Sequence, residues 1–217
     1  MDSVRAAAAH VLATEPALHV LVNNAGVLPA TRQETPAGIE LTFATNVLGP
    51  FLLTNLLLER LRESAPARII TVSSGGMYSR RLDPDDLQTE HREYDGPAVY
   101  ARTKRAEVIL TELWADRLRG TGVVAHAMHP GWARTAGVAE SLPTFNRVMQ
   151  PLLRTPEEGA DTIVWLGAAD EPAERTGGFW HDRRERPTHR VPWTRETRED
   201  RERLWTACAE LSGWTED

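Results

Sequence analysis

The sequence has a single cysteine, and it lacks both a long apolar run and a strong excess of charge of one sign. With Cys208 alone the chain can form neither an internal disulfide nor a thiolate metal cluster. No apolar stretch approaches the roughly 18 residues needed to cross a bilayer. Residues 1–5 do not have the pattern of a signal peptide. We therefore expect a cytoplasmic protein with no metal site and no membrane span.

The charge balance excludes another group of functions. The formal net charge is -6 and the isoelectric point is about 5.7, which gives no reason to expect a nucleic acid or an anionic membrane as partner. The densest basic run, Arg183-Arg184-Glu185-Arg186, is interrupted by a glutamate, and we interpret it as a solvated loop. A hydrophobic fraction of 41 % in 217 residues predicts one globular domain over residues 1–217.

Apolar runs rich in β-branched residues alternate with segments of helical periodicity. This alternation is typical of β-α-β units and predicts an α/β fold with a parallel sheet. Strands are predicted over residues 18–22, 68–72, 123–128 and 177–180. Helices are predicted over residues 2–14, 38–61, 155–169 and 196–211, and over a segment that contains Tyr100 and Lys104.

Polar or glycine-containing motifs follow three of the predicted strands. They are Asn23-Asn24-Ala25-Gly26, Ser73-Ser74 and Pro130-Gly131. Ligands of parallel sheets bind beyond the carboxyl ends of the strands. We therefore expect these three motifs to converge on one cleft.

Tyr100 and Lys104 are four residues apart on a predicted helix, so they share one face of it. A phenol has a pKa near ~10 and is a poor base at neutral pH. A neighbouring ammonium favours the phenolate and lowers the pKa of the phenol. The pair could act as a tuned acid and base, although the motif alone also occurs by chance in ordinary surface helices.

Proline interrupts the helix predicted over residues 38–61. Pro50 has no N–H to donate to the carbonyl four residues earlier, which belongs to Asn46. We expect a kink there that leaves the backbone carbonyl of Asn46 free.

Taken together, these motifs resemble the short-chain dehydrogenase/reductase family in order and spacing, over essentially the whole chain. The resemblance implies a Rossmann-type, doubly wound parallel sheet. Asp86-Leu87-Gln88, in the long segment between Ser74 and Tyr100, is similar to the retinol-dehydrogenase-like branch. The runs at residues 71–77, 129–133 and 159–162 look like the member-twelve subgroup of the family.

The resemblance implies a role for each of four residues in interconverting an alcohol and a carbonyl. Tyr100 is the acid/base, and Lys104 lowers its pKa and holds the cofactor ribose. Ser74 hydrogen-bonds the substrate oxygen. The backbone carbonyl of Asn46 binds a water that links Lys104 to solvent.

The resemblance also implies NAD or NADP as cofactor and a small carbonyl or alcohol as substrate. The expected contacts on the adenosine side are Asn23, Ala25 and Gly26. Near the nicotinamide and diphosphate they are Pro130, Gly131, Trp132 and Thr135, together with Tyr100 and Lys104. His129 is interpreted as structural. For Trp132, Trp180 and the carboxyl-terminal tryptophans, packing is favoured over stacking on a substrate.

The pattern departs from the family at its amino-terminal part. No glycine-rich turn precedes Asn23, and by analogy roughly 60 residues with that turn are missing. We expect an N-terminally truncated sheet of about four strands in which residues 18–22 form an exposed edge. Low cofactor affinity, and either poor stability or association into a homo-oligomer through that edge, are expected to follow.

Three functions remain open from the sequence. The first is an NAD(P)-dependent oxidoreductase, for which mixed loops at residues 77–95 and 136–153 weakly favour an uncharged, lipophilic substrate. The second is a truncated, inactive binding or interaction module. The third is a hydrolase using Ser74 with a histidine, which the absence of a Gly-x-Ser-x-Gly elbow disfavours.

Overall fold

A computed structural model describes residues 1–133 and 153–216 of the chain. Thr135, one of the predicted cofactor residues, lies outside these ranges, as does almost all of the predicted substrate loop at residues 136–153.

The described part of the chain forms one five-stranded sheet whose strands lie side by side in chain order. The first four strands are parallel, and the fifth pairs antiparallel with the fourth. The strands are β1 (Val20–Asn23), β2 (Ala67–Val72), β3 (Val123–Met128), β4 (Phe179–His181) and β5 (Arg184–Arg186).

Helices connect the strands. They are α1 (Asp2–Thr14), α2 (Leu41–Phe43), α3 (Gly49–Leu56), α4 (Leu58–Glu63), α5 (Gly96–Arg117), α6 (Pro156–Ala168) and α7 (Arg198–Ser212). A π-helical turn, Ala44–Leu48, joins α2 to α3. Short 3-10 turns lie at Gly75–Ser79, Glu171–Glu174 and Pro192–Thr194.

Both faces of the sheet are covered. Ile69 and Ile70 are neighbours on β2 and are fully buried, but they belong to different apolar clusters. Side chains alternate between the two faces of a strand, so Ile69 packs with α3 and α5 while Ile70 packs with Leu166 of α6. This arrangement confirms the predicted α/β class.

Aromatic residues consolidate the larger cluster. Phe51 of α3 contacts Trp114 of α5 with ring centroids 6.3 Å apart, and it meets Trp205 of α7 edge-on at 5.0 Å. Trp214 packs edge-on against Phe51 at 5.7 Å. The carboxyl-terminal helix is thereby fixed to α5, the helix that contains Tyr100 and Lys104.

The predicted start of α6 is confirmed in detail. The Thr155 hydroxyl accepts the N–H of Glu158 at 3.2 Å, and the Glu158 carboxylate accepts the N–H of Thr155 at 2.8 Å. Pro156 occupies the first turn. Reciprocal caps of this kind satisfy backbone donors that a helix start leaves free.

The helix predicted over residues 38–61 is not continuous. It consists of α2, the π turn, α3 and α4, and the π turn ends directly before Gly49 and Pro50. The N–H of Gly49 donates to the carbonyl of Ala44, five residues earlier. A local widening of the helix therefore precedes Pro50, and such bulges are frequent at functional sites.

Two predictions about the sheet need correction. The described sheet has five strands, not four, because Arg184–Arg186 pairs with β4. The basic run is therefore a strand and not a loop. Its charged side chains gave a loop-like sequence pattern, but Arg184 and Glu185 remain exposed while their backbone pairs with His181 and Trp180. An edge strand tolerates such residues.

The amino-terminal strand lies at the other edge of the described sheet. β1 pairs on one side with β2, and its Val20 and Val22 side chains are 37 % and 39 % exposed. The predicted exposed edge is thus present. In the described residues no helix combines the length and apolarity that a membrane span requires. Cytoplasmic location and self-association stay predictions.

Candidate active site

A cavity of about 960 Å³ opens beyond the carboxyl ends of β1, β2 and β3. The three strand-end motifs meet there, as the sequence predicted. Its walls include eight of the predicted site residues: Ala25, Gly26, Ser74, Tyr100, Lys104, Pro130, Gly131 and Trp132. Its volume lies at the upper end of the range of about 300–1,000 Å³ that is typical of small-molecule sites.

The long helix α5 positions Tyr100 and Lys104. Asp95 caps its amino-terminal end by accepting the N–H of Ala98, and Pro97 lies in its first turn. The Lys104 ammonium lies 5.4 Å from the centroid of the Tyr100 ring. Tyr100 is half-buried, whereas Lys104 is almost fully buried, so the phenol is the more exposed member of the pair although both residues line the cavity.

Burial decides the acidity of Tyr100. Loss of solvent raises the pKa of the Tyr100 phenol above its ordinary value of 10, because the phenolate is poorly solvated in the protein. Lys104 opposes this effect and lowers the pKa, as the sequence predicted, and a hydrogen bond with Ser74 acts in the same direction. The net direction is nevertheless upward, so Tyr100 is protonated at neutral pH.

Lys104 has two buried partners. Its Nζ donates to the backbone carbonyl of Val72 at 3.0 Å and to Oε1 of Glu107 at 2.7 Å. The sequence interpretation did not identify Glu107. Its only signal was a carboxylate three residues after a lysine on the same helix, a spacing common in surface ion pairs.

Gly26 leaves room for the lysine. A Cβ atom at position 26 would lie 3.3 Å from Nζ of Lys104 and 3.6 Å from Oδ1 of Asn46. A side chain at position 26 would therefore crowd the ammonium, which would have to shift by a few tenths of an ångström. This contact gives the glycine of the Asn-Asn-Ala-Gly motif a physical reason.

Asn46 ties the turn after β1 to α5. Its side chain is fully buried, and Oδ1 accepts the N–H of Val27 at 2.8 Å. Its Nδ2 donates to the Val27 carbonyl at 3.2 Å and to Oγ1 of Thr103 at 3.0 Å. The contacts are made by the side chain, and the role predicted for its backbone carbonyl stays a prediction.

The two serines after β2 differ in their surroundings. Ser73 is buried, and its Oγ donates to the backbone carbonyl of Lys104 at 2.7 Å. Ser74 is half-buried and its Oγ accepts the N–H of Gly76 at 3.2 Å. Ser73 therefore anchors α5, while the Ser74 hydroxyl lies on the cavity wall beside Tyr100.

Asn23 and Asn24 differ in whether their side chains reach the cavity. Asn23 is buried, and its Nδ2 donates to Oγ1 of Thr54 in α3 at 3.0 Å. It does not line the cavity, whereas its exposed neighbour Asn24 does. The structure thus places the side chain of Asn23 in a structural contact, and a direct cofactor contact by this residue stays a prediction.

The loop after β3 is held by Arg154, which the sequence interpretation did not single out. Arg154 Nη1 donates to the Pro130 carbonyl at 3.1 Å, and its Nη2 pairs with Oδ2 of Asp182 at 2.8 Å. Gly131 has a φ of +76°, and a Cβ atom there would lie 3.2 Å from the Arg154 guanidinium carbon. Glycine at 131 therefore permits both the left-handed backbone and the close approach.

His129 packs in a stack at the base of this loop. Its ring lies 3.9 Å from the His181 ring, nearly parallel at 10°, and 5.5 Å from the Phe179 ring. Burial, and the proximity of His181, lower the pKa of His129 to about 4. A neutral, stacked imidazole agrees with the structural role expected for it.

Comparison with known proteins agrees with this geometry. The family described as short chain dehydrogenase matches residues 1–144. The chain is 44 % identical over 176 residues to dehydrogenase/reductase SDR family member 12 of Bos taurus, covering 81 % of this chain and 55 % of that protein. It is 40 % identical over 213 residues to retinol dehydrogenase 12 of Homo sapiens, covering 97 % of this chain and 66 % of that one.

Solved structures share the fold. A crystal structure described as a putative uncharacterized protein from Mycobacterium paratuberculosis aligns with a TM-score of 0.73 and 27 % identity, over 98 % of this chain and 72 % of that one. A putative short chain dehydrogenase from Escherichia coli CFT073, complexed with NADPH, aligns with a TM-score of 0.64 and 23 % identity, over 82 % and 68 %.

The curated relatives are longer than this chain, which spans between about half and two thirds of the length of those named above. The matched segment nevertheless includes the turn after β1, the serine pair, and the tyrosine and lysine of α5. The chain therefore belongs to the short-chain dehydrogenase family, in its retinol-dehydrogenase-like branch.

Proposed function

We propose that this chain is the catalytic part of an NAD(P)-dependent oxidoreductase that interconverts an uncharged carbonyl and its alcohol. One observation carries the proposal. The Tyr100 phenol lies on the wall of a large cavity with the Ser74 hydroxyl, and the Lys104 ammonium is 5.4 Å from its ring. This set supplies a proton donor, a hydrogen bond for the substrate oxygen, and a fixed positive charge.

The protonation state of Tyr100 determines its role in reduction and in oxidation. In reduction, the protonated phenol donates its proton to the carbonyl oxygen as that oxygen gains charge. In oxidation, the phenolate accepts the proton of the alcohol. The Ser74 hydroxyl orients the oxygen, and Lys104 stabilises negative charge on the phenol. The nicotinamide supplies or accepts the hydride when the cofactor is bound.

The residues that line the cavity around Lys104 fit a dinucleotide cofactor. Gly26 leaves space beside the Lys104 ammonium that a Cβ would fill, and the ammonium has a third N–H beyond those given to Val72 and Glu107. We assign two groups of cavity residues to hold the cofactor: Ala25 and Gly26 on one wall, and Pro130, Gly131 and Trp132 on the other. The structure adds Asn24 to the first group. The assignments of Asn23 and Thr135 stay predictions.

The cavity wall supports an uncharged and lipophilic substrate. Leu28, Pro29, Leu41 and Pro97 line it, and Lys104 is the one charged side chain among its described residues. Apolar walls with few polar groups favour ligands whose binding is driven by burial. Relatives named retinol dehydrogenase agree with a lipophilic alcohol or aldehyde.

The first test is cofactor binding by the folded chain. NADH and NADPH are titrated by calorimetry into the wild type and into Tyr100→Phe, which is expected to bind almost equally well. Micromolar binding by both supports the proposal. No binding at millimolar nucleotide by a folded sample overturns it for this chain, and favours the alternative of an inactive binding or interaction module.

The second test is turnover. Chain that binds a nucleotide is supplied with medium-chain and long-chain aldehydes and their alcohols, and nicotinamide absorbance is followed. Turnover by the wild type and its loss in Tyr100→Phe support the assignment. Equal turnover in both proteins contradicts it.

A further inference from the structure

Next to the predicted catalytic pair lies a buried carboxylate, Glu107, and one of its oxygens has no hydrogen-bond partner within the described part of the chain. We propose that Glu107 is a positioning residue for Tyr100 and Lys104. Its carboxylate holds the Lys104 ammonium against the end of β2 and limits the positive charge that reaches the Tyr100 phenol. The functional meaning of this role rests on the proposed oxidoreductase activity, but the contact itself is tested without cofactor.

The contact is short and isolated from solvent. Lys104 Nζ and Glu107 Oε1 are 2.7 Å apart, and each residue is 3 % exposed. Glu107 Oε2 is buried and has no hydrogen-bond partner among the described residues. A surface ion pair at this helical spacing contributes little, but a buried one is strongly affected when one partner is removed.

Such an arrangement is costly for a purely structural residue. Burial raises the pKa of Glu107 to about 7, and only the Lys104 ammonium opposes this. The contact of this pair with β2 is made by the Val72 backbone carbonyl, which carries no charge. Packing alone is served better by an apolar side chain, so a carboxylate here indicates a role in the charge of the site.

Tyr100, Lys104 and Glu107 follow one another along α5, and each shifts the pKa of a neighbour. Glu107 raises the pKa of Lys104, and Lys104 lowers the pKa of Tyr100. Glu107 itself raises the pKa of Tyr100 by repelling the phenolate. The carboxylate therefore keeps the lysine charged and, at the same time, helps to keep the tyrosine protonated, which is the state that donates a proton in carbonyl reduction.

Glu107 also fixes the position of the ammonium. Val72 and Glu107 take two of its three N–H donors. The remaining N–H is thereby left for a cofactor hydroxyl. A donor held in this way loses little conformational freedom when it forms that hydrogen bond, which is the benefit of a preorganised site.

The sequence offers a direct probe, since Lys104 is the one lysine in the 217 residues. Protein labelled with ¹⁵N and ¹³C in lysine gives a single side-chain signal, and its pH titration is followed by NMR. In Glu107→Gln we expect the Lys104 midpoint to shift to lower pH, because burial still disfavours the ammonium and the compensating charge is gone. An unchanged midpoint in the folded variant overturns the proposal.

Glu112→Gln is the matched control. Glu112 is on the same helix, but it pairs with Arg201 and is partly exposed. Its replacement is expected to leave the Lys104 midpoint unchanged. A shift of equal size in both variants contradicts a specific role for Glu107.

A wild-type measurement keeps the test decisive if Glu107→Gln does not fold. An ammonium bonded to two buried acceptors exchanges its protons slowly, so the ¹H–¹⁵Nζ correlation of Lys104 is expected at neutral pH. Its absence in the folded wild type overturns the proposal. Neither result depends on nucleotide, so failure of cofactor binding and failure of this inference are separate outcomes.

Discussion

Nδ2 of Asn46 and Oγ1 of Thr103 form a buried hydrogen bond of 3.0 Å. The bond joins the π turn that precedes α3 to the middle of α5, between Tyr100 and Lys104. Thr103 Oγ1 donates in turn to the Tyr100 carbonyl at 2.8 Å. The side chain of Asn46 therefore holds the turn after β1 and α5 in register with each other.

Replacing Asn46 is expected to destabilise the fold. Asn46→Ala leaves the N–H and carbonyl of Val27 without their side-chain partners, at a cost of about 2–3 kcal/mol in the free energy of unfolding. The measurement is urea denaturation of Asn46→Ala, Thr103→Val and the double variant. Coupling of about 0.5 kcal/mol or more is expected, and strict additivity would show that the bond does not join the two elements.

The two serines after β2 separate stability from activity. Ser73→Ala removes the hydrogen bond to the Lys104 carbonyl, and we expect a loss of about 1–2 kcal/mol in stability. Ser74→Ala loses a 3.2 Å contact with the Gly76 N–H at a half-buried position, so we expect a stability loss of no more than about 1 kcal/mol. It is expected to lower kcat by about 10²–10³-fold, since it removes a donor to the reacting oxygen. Denaturation and turnover are measured for both, and the reverse pattern would exchange their roles.

Tyr100→Phe is expected to abolish proton transfer without disturbing the fold. General acid-base groups contribute about 10²–10⁴-fold to rates, and we expect a loss of turnover in that range. Tyr94→Phe is the matched control, because the Tyr94 hydroxyl is bonded to Thr42 and Glu40 and does not line the cavity. Equal losses in the two variants would contradict the assignment of Tyr100.

The raised pKa of Tyr100 predicts different pH profiles for the two directions. The phenol is protonated below its pKa, which lies above 10. Reduction is therefore expected to be constant through neutral pH and to fall in alkali, whereas oxidation rises with pH because it needs the phenolate. Initial rates in both directions from pH 6 upward test this. An oxidation rate that is already at its plateau at neutral pH contradicts the direction of the shift.

His129 is expected to make the protein sensitive to acid. Its pKa is about 4 in the folded protein and near ~6.5 in an unfolded chain, so the unfolded state binds the proton more tightly. The stability due to neutral His129 is present above about pH 6.5 and is lost as the pH falls to about 4. As the pH falls from about 6.5 to about 4, the unfolding free energy of the wild type is thus expected to decrease relative to that of His129→Phe.

Urea denaturation at pH 7 and pH 4.5 checks the His129 prediction. Comparing two proteins at each pH cancels the titration of Glu107, whose raised pKa has the opposite effect on stability over part of the same range. His10→Gln serves as control, since His10 is exposed on α1. A constant difference between the wild type and His129→Phe at the two pH values contradicts the prediction.

Much of the fold followed from local patterns. The boundaries of α1 and β3 agree with the prediction to the residue, and the capping residues located the start of α6. These features depend on residues close in sequence. β5 was missed because its charged side chains resemble those of a loop, and only the partner strand β4 gives its backbone a ladder.

The candidate site, like the fold, could be predicted from the sequence only in part. Order and spacing of the motifs were enough to identify the family and to predict eight of the residues that line the cavity. Arg154 and Glu107 could not be recognised in this way, because an isolated arginine or a helical Lys–Glu spacing is common on protein surfaces. Arg154 is significant because it contacts Pro130 and Asp182, which are distant along the chain. Glu107 is significant because it is buried and holds a lysine that also bonds to Val72 of β2.

The sequence by itself determined the α/β class, the family and the identity of Tyr100, Ser74 and Lys104 as candidate reacting residues. The tertiary structure decided the direction in which the pKa values of Tyr100 and Lys104 shift, and which side chains hold these residues. Desolvation and long-range contacts set pKa values and orientations, and both depend on how the elements pack. That is why Tyr100 keeps its proton at neutral pH in the folded protein although a charged lysine lies beside it.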